Sequence, residues 1–420
     1  MENDPAGCFE NNLTPRPPSL AGKGEQLARQ HLAARAQAPA RSWQQDVRLW
    51  GLRAIGGALR LRPSPPPSRR GPRILVIRPD HLGDLLCATP ALACLRQQRP
   101  DAHITAMVGP WGEPALAANP DIDALLTCPF PGFTRQPKSS AWAPYRVLAE
   151  YARQLRPLRF DAAIILRGDH WWGALLAAWA DIPTRLGYDI AETRPFLTDV
   201  QAYVPGRHEV IQNLCLIDPD LAATTPDQWP SRFPLAVEDE RWAVQLAASI
   251  GDPTAPLVAI HPGAGAPVKT WCTAAWAHVA DALVEGRNAR IVITGGASEH
   301  DLAESVAREM RHPASILAGQ TSLGQLGALL GRCALVIGPD CGPLHLAVAV
   351  GAPTIHLFGP ADARLFGPWG DPQQHRVLTS DWACIPCNRL DYPAAVLSEH
   401  GCVRDIDEES VWDAALEFLL

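Results

Sequence analysis

The sequence predicts a doubly wound α/β fold, built twice over, and three observations carry that expectation. Short apolar runs of strand length recur from residue 74 to residue 358, alternating with helical segments. Two of the turns that follow such runs, at 79–84 and at 338–343, are rich in Gly, Asp and Pro and open directly into a helix. The chain has 420 residues, 47% of them hydrophobic, enough for two cores of ordinary domain size.

Composition narrows the function classes. No apolar run is long enough to span a bilayer, which excludes an integral membrane protein. The start of the chain shows Pro, Asn and acidic residues where a secretory signal would have an apolar stretch. Eleven scattered cysteines without a regular framework fit a reducing compartment, so we expect a cytoplasmic protein. The formal charge of −7 is unevenly spread. Residues 1–73 hold 12 Lys and Arg against 5 Asp and Glu, a net +7, so the remainder carries −14. An acidic body without a basic stripe argues against nucleic acid as a partner.

Residues 1–40, rich in Pro, Ala, Gly and Gln, read as disordered. Residues 41–62 read as a helix with Trp43, Val47, Trp50, Ala54, Ala58 and Leu61 along one face. Leu52 and Leu59 fall on the opposite face, and Gly51, Gly56 and Gly57 weaken the helix. Two readings stand: a helix lying on an anionic membrane surface, or one packed on the body. Residues 63–72 form a Pro/Ser/Arg linker, so 1–70 are taken as a basic N-terminal extension.

A first domain, 71–245, begins with a strand at 74–78, the turn Pro79-Asp-His-Leu-Gly83 and a helix at 84–97. Strands are expected at 103–108, 124–127 and 161–166, with helices near 112–118, 141–155 and 171–179. Asp84 stands at the carboxyl end of the first strand, where it is either a helix cap or a general base. Arg167, Asp169 and His170, at the end of another strand, suit a polar sugar acceptor. Trp171 and Trp172 would cover a ring face there or sit in the core.

A second domain, 246–405, follows a poorly patterned stretch at 218–256, with strands at 257–261, 289–294, 314–318, 334–338 and 353–358. A glycine loop, Pro262-Gly-Ala-Gly265, leads to Lys269 and Trp271. It is neither a dinucleotide fingerprint nor a Walker loop, but a lysine there favours an anion. Glu299, after the strand at 289–294, is placed to accept from ribose hydroxyls. The turn Asp340-Cys-Gly-Pro343 opens a helix whose amides at Cys341, Gly342 and Leu344 can hold a phosphate, with His345 beside them. Residues 406–420 read as a helix packing back on the body.

Several of these segments together resemble the ADP-heptose–lipopolysaccharide heptosyltransferase family, glycosyltransferase family 9. They are Ile77-Arg-Pro-Asp-His-Leu-Gly-Asp84 with Thr89-Pro-Ala-Leu92, the Lys-x-Trp after the glycine loop, the Gly-Pro-Asp-Cys-Gly-Pro-Leu-His345 turn and Phe358-Gly-Pro-Ala-Asp362. The resemblance covers residues 73–420 and implies the GT-B architecture, two Rossmann-like domains facing across a cleft. It implies an inverting transfer of a sugar from ADP-heptose to a lipopolysaccharide-core or related glycan, peripherally at the inner face of the inner membrane. Asp84 would be the base. Lys269, Asp340, Cys341, Gly342, Leu344, His345 and Glu299 would hold the donor, and His81, Arg167, Asp169 and His170 the acceptor. Cys341 departs from the usual Ser or Thr, and Cys272 from the usual Pro.

We expect no catalytic metal: Asp121-Ile-Asp123 and Asp405-Ile-Asp407 both read as loop residues. Cys384-Ile-Pro-Cys387, with His400 and Cys402, reads either as a structural Zn or Fe site or as a free-thiol loop. The absence of Gly-x-Gly-x-x-Gly after any strand disfavours a nicotinamide dehydrogenase. A sugar-nucleotide epimerase or hydrolase of the same fold, and a non-catalytic membrane-associated scaffold, stay open.

Overall fold

A computed structural model of the chain describes residues 43–60, 71–134, 140 and 142–419. Over these the chain divides at Phe233/Pro234 into two units, each built on one six-stranded parallel sheet. The readings of 1–40 and of most of the 63–72 linker lie outside the described residues.

The N-terminal unit carries β1 (Arg73–Ile77), β2 (His103–Val108), β3 (Ala124–Thr127), β4 (Ala162–Ile165), β5 (Thr184–Tyr188) and β6 (Asp199–Gln201), in the order β3-β2-β1-β4-β5-β6. Ile74, Leu75, Val76 and Ile77 are all buried, because helices cover both faces of the sheet. Leu75, Ile77, Met107, Ala163 and Ile165 meet the helices Ala143–Leu155 and Trp171–Trp179 in one core. The single helix expected at 84–97 is two, Leu82–Leu86 and Thr89–Gln98. Pro90 is the reason: it lacks an N–H and sits in a first turn, where none is needed.

The N-terminal helix, Trp43–Arg60, packs on the body by one face. Leu49 and Leu52 are buried, Leu59 is partly so, and Gly56 lies so close to Pro195 that a Cβ there would collide with it. The residues that spoil the amphipathic pattern are thus the packing face. Trp43, Val47 and Trp50 point away from it, 72%, 59% and 73% exposed.

The C-terminal unit carries β7 (Leu257–Ile260), β8 (Arg290–Ile293), β9 (Ser315–Ile316), β10 (Leu335–Pro339), β11 (Thr354–Leu357) and β12 (His375–Leu378), in the order β12-β11-β10-β7-β8-β9. The boundary falls before 245/246 because the helix Val237–Ser249, in the stretch that looked poorly patterned, packs on Leu323–Leu330 of this unit. The terminal helix Glu408–Leu416 packs on Thr273–Arg287 and on β11 and β12, so it belongs to the same unit. Asp407 caps it, accepting from the Ser410 amide.

The two sheets repeat one topology. In each, the first strand lies beside the fourth, β1 by β4 and β7 by β10, and the chain leaves them in opposite directions. Loops at the carboxyl ends of two such strands splay apart and leave room for a ligand.

Candidate functional site

In the N-terminal unit the splayed loops are those after β1 and β4. Arg78 follows β1 and turns inward, its side chain 3% exposed. It meets Asp80 (Nε–Oδ2 2.7 Å) and Glu209 (Nη2–Oε1 2.8 Å), and donates to Asn213 Oδ1 (2.9 Å) and the Leu166 carbonyl (3.2 Å). Asp84 Oδ1 lies 3.7 Å from the same guanidinium. The helix over Asp84 begins at Leu82 with His81 at the cap position, so Asp84 stands in the first turn rather than at the cap.

The charges around Asp84 are unequal in effect. Burial pushes its carboxyl up, the negative Asp80 adds to that, and Arg78 opposes them; the result is about 6. Burial also pushes Asp80 up, but Arg78 and Arg167 together hold it below the usual carboxylate range. One carboxylate is locked as an anion while its neighbour titrates near neutrality, which is how sites separate a fixed charge from a working base.

Arg167 pairs with Asp80 and donates from Nε to Asp169 Oδ1 (2.6 Å), and its guanidinium lies 5.1 Å over the Phe133 ring. Asp169 is open to solvent. His81, half-buried, sits against Trp111 with ring centroids 5.3 Å apart. His170 corrects the expectation of an acceptor contact. It is 4% exposed among Phe130, Phe133 and Trp172, and burial lowers its pKa to about 3, so it is a neutral core residue. The tryptophan pair is core as well: Trp172 is buried and donates to the Pro144 carbonyl, and Trp171 lies under Arg48 of the N-terminal helix.

In the C-terminal unit the splayed loops follow β7 and β10. Lys269 Nζ donates to the Asp340 carboxylate (2.5 Å) and to its backbone carbonyl (3.1 Å). His345 Nε2 stands 3.7 Å from the other Asp340 oxygen. Burial opposes the charge on Asp340, but the neighbouring His345 and the charge of Lys269 bring its carboxyl down to about 2. Asp340 is therefore engaged by side chains of its own unit.

Cys341, in extended conformation, caps the helix Gly342–Ala349, with Pro343 in its first turn and no side-chain capping bond. The amides of Cys341, Gly342 and Leu344 thus stand at a helix start, outside the i→i−4 ladder. Gly338 makes the turn tight: a Cβ there would collide with Leu344 and lie 2.9 Å from the His261 carbonyl. Glu299 braces the neighbouring loop, accepting from the Gly296 amide (2.7 Å) with its Oε2 3.9 Å from His261 Nε2. A Cβ at Gly263 would collide with that carboxylate, so the glycine loop lies directly against Glu299. Trp271 is structural: it is buried, packs edge-on to Trp276 and donates to the Ile406 carbonyl.

Arg78, Asp80, Glu209, Asn213 and His261 carry no role in the sequence reading. Arg78 and Asp80 were detectable, since an arginine closing a run of four apolar residues must find a buried partner. Glu209 and Asn213 had no local signal, because they arrive from a helix over 120 residues away.

The Asp-x-Asp pairs have structural partners: Asp123 accepts from the Ile104 amide and Arg96, and Asp405 from Trp382. No three ligand atoms of Cys384, Cys387, His400 and Cys402 lie within 4.8 Å of one another. Among the described residues, His300, Asp301 and Glu304 form the one group of three or more such side chains whose ligand atoms lie within 4.8 Å of one another. Cys387 Sγ instead stands 3.6 Å from the Tyr392 hydroxyl, and His400 lies against the Tyr392 ring.

Comparison with known proteins gives one picture. Residues 148–393 match the family model described as glycosyltransferase family 9 (heptosyltransferase). Lipopolysaccharide heptosyltransferase 3 of Escherichia coli K12 is 29% identical over 298 residues, 68% of this chain and 82% of that protein. A family 9 glycosyltransferase structure from Veillonella parvula superposes with a TM-score of 0.67 at 25% identity, covering 83% of this chain and 97% of the other. ADP-heptose lps heptosyltransferase II of E. coli does so at 0.65 and 22%, covering 83% and 98%.

Proposed function

The chain belongs to glycosyltransferase family 9, the heptosyltransferases, and from that premise we propose that it transfers heptose from ADP-heptose to a lipopolysaccharide-core or related glycan, with inversion and without a catalytic metal. The observation that carries this reading is the chemistry at the two switch points. One offers a carboxylate poised near pH 6, the other a lysine beside helix-start amides. Asp84 deprotonates the acceptor hydroxyl. The oxygen attacks the anomeric carbon from the face opposite the diphosphate, the bond to ADP breaks, and the released charge falls to Lys269, His345 and the amides of Cys341, Gly342 and Leu344. Glu299 takes the ribose hydroxyls, and Arg167, Asp169 and His81 orient the acceptor. Lys269→Ala should weaken ADP-heptose binding and slow transfer, read by titration and by acceptor-linked heptose; unchanged values remove the lysine from the site. Release of free sugar or of an epimer would select the hydrolase or epimerase instead.

A lipid-linked acceptor is presented at a membrane, so the same reading puts the enzyme peripherally at the inner face of the inner membrane. No described helix is long and apolar enough to cross it. For the C-terminal thiols, the present geometry favours the free-thiol loop over Zn or Fe. Metal analysis decides: a stoichiometric metal lost in Cys384→Ser would overturn that choice.

A further inference from the structure

We propose that the outward face of the helix Trp43–Arg60 is a docking surface for an anionic lipid bilayer. It deepens the reading of a membrane-presented acceptor, and it stands on a surface remote in sequence from every residue given a role in transfer. Trp43, Val47, Trp50 and Ala54 recur at i, i+4, i+7 and i+11, with Gly51, Gly57 and Ala58 filling the same arc. The arc has no charged or polar side chain, and Trp43, Val47 and Trp50 are all exposed by more than half. Because Leu49, Leu52 and Gly56 already fix the opposite face to the N-terminal unit, the outward arc is not a core stripe awaiting its own domain.

The occupant follows from area and charge. An exposed tryptophan offers roughly 150–250 Å², so this arc supplies a few hundred Å². A specific protein interface buries about 800 Å² per partner, more than the arc can give. A bilayer needs only a few aromatic anchors, because indole is apolar with one N–H and settles at the headgroup level. The front 73 residues carry +7 and the rest −14, so an anionic surface attracts this end of the chain and repels the rest. Arg53 and Asp46, both exposed, border the arc on the same side, so the attraction rests on the charge of the whole front segment rather than on this edge. Two more exposed aromatics, Trp142 and Tyr145, stand at the start of Ala143–Leu155, a helix on the same face of the sheet.

The test is co-sedimentation of the full chain with vesicles of phosphatidylglycerol and phosphatidylcholine, and with phosphatidylcholine alone. The wild type should bind the anionic vesicles and prefer them over the neutral ones. The double variant Trp43→Ala, Trp50→Ala should lose at least about tenfold in partitioning, since two interfacial indoles are removed. Arg53→Glu should reduce the preference for anionic vesicles. The thermal midpoint and ADP-heptose affinity should hold in all three, separating lost docking from lost fold or donor site. An unchanged double variant, or a wild type that ignores vesicles, overturns the proposal. So does light scattering that shows a wild-type dimer dissociating in the double variant, which would assign the arc to a second copy. Transfer to a soluble acceptor should be unaffected; failure of that activity in the wild type would count against the transferase reading, not the docking.

Discussion

Asp84 shows at the scale of one residue how position becomes chemistry. The same side chain at an exposed helix start would titrate near 4 and serve as a cap. Burial and Asp80 move it to about 6, so the base form dominates above that value and is lost below it. Transfer should therefore rise with pH through about 6 and level off, falling about tenfold per unit on the acid side. For stability the sign is opposite. A carboxyl raised in the folded state binds its proton more readily there, so its ionisation costs stability as pH rises from about 4 to 6. Asp80→Asn removes a negative neighbour and frees two arginines to act on Asp84, so the acid limb of a pH–rate profile should shift downward. An unshifted limb would mean another group titrates. The sequence offered Asp84 as cap or base and left the choice to the family resemblance. It did not offer Arg78 as the hub, because burial of an arginine depends on Glu209 and Asn213, which only the fold delivers.

At the scale of elements, legibility followed side-chain pattern. Strands β1, β2, β3, β7, β10 and β11 are short runs with no charged residue in their interior, and each was expected within a residue or two. Strands β5, β6 and β12 were not, because Thr-Arg-Leu-Gly-Tyr, Asp-Val-Gln and His-Arg-Val-Leu each put a charged residue into a very short run. In β5 the fold absorbs the arginine: Arg185 is buried and donates to the carbonyls of Ile182, Pro183 and Phe196. The helix Val237–Ser249 was missed because it buries only Ala243 and Ala247, too narrow a stripe to read as a period. The β10 turn was legible and is also the most fragile. Gly338→Ala would press on Leu344 and on the His261 carbonyl at once. It should lower stability by about 1–3 kcal/mol, the usual cost of overpacking, and weaken ADP-heptose binding together with it. Normal melting and normal binding would show that the turn has room to spare.

At the scale of the whole molecule, one topology is used twice. The charge split between front and body was visible in composition, and so was the two-core size. The boundary was less so: it lies at Phe233/Pro234, beside Pro226, Pro230 and Ser231, inside the stretch at 218–256 that shows no sustained period. The choice at Cys384, Cys387, His400 and Cys402 was not legible either, since spacing says nothing about which way a loop turns its ligand atoms. The central claim is that the N-terminal unit supplies the base and the C-terminal unit holds the donor, so one substitution should separate rate from affinity. The direct measurement is single-turnover kinetics of Asp84→Asn with ADP-heptose titrated over its binding range. The chemical step should slow by about 10²–10⁴-fold with donor affinity unchanged. Wild-type turnover, or a loss confined to donor affinity, would contradict it.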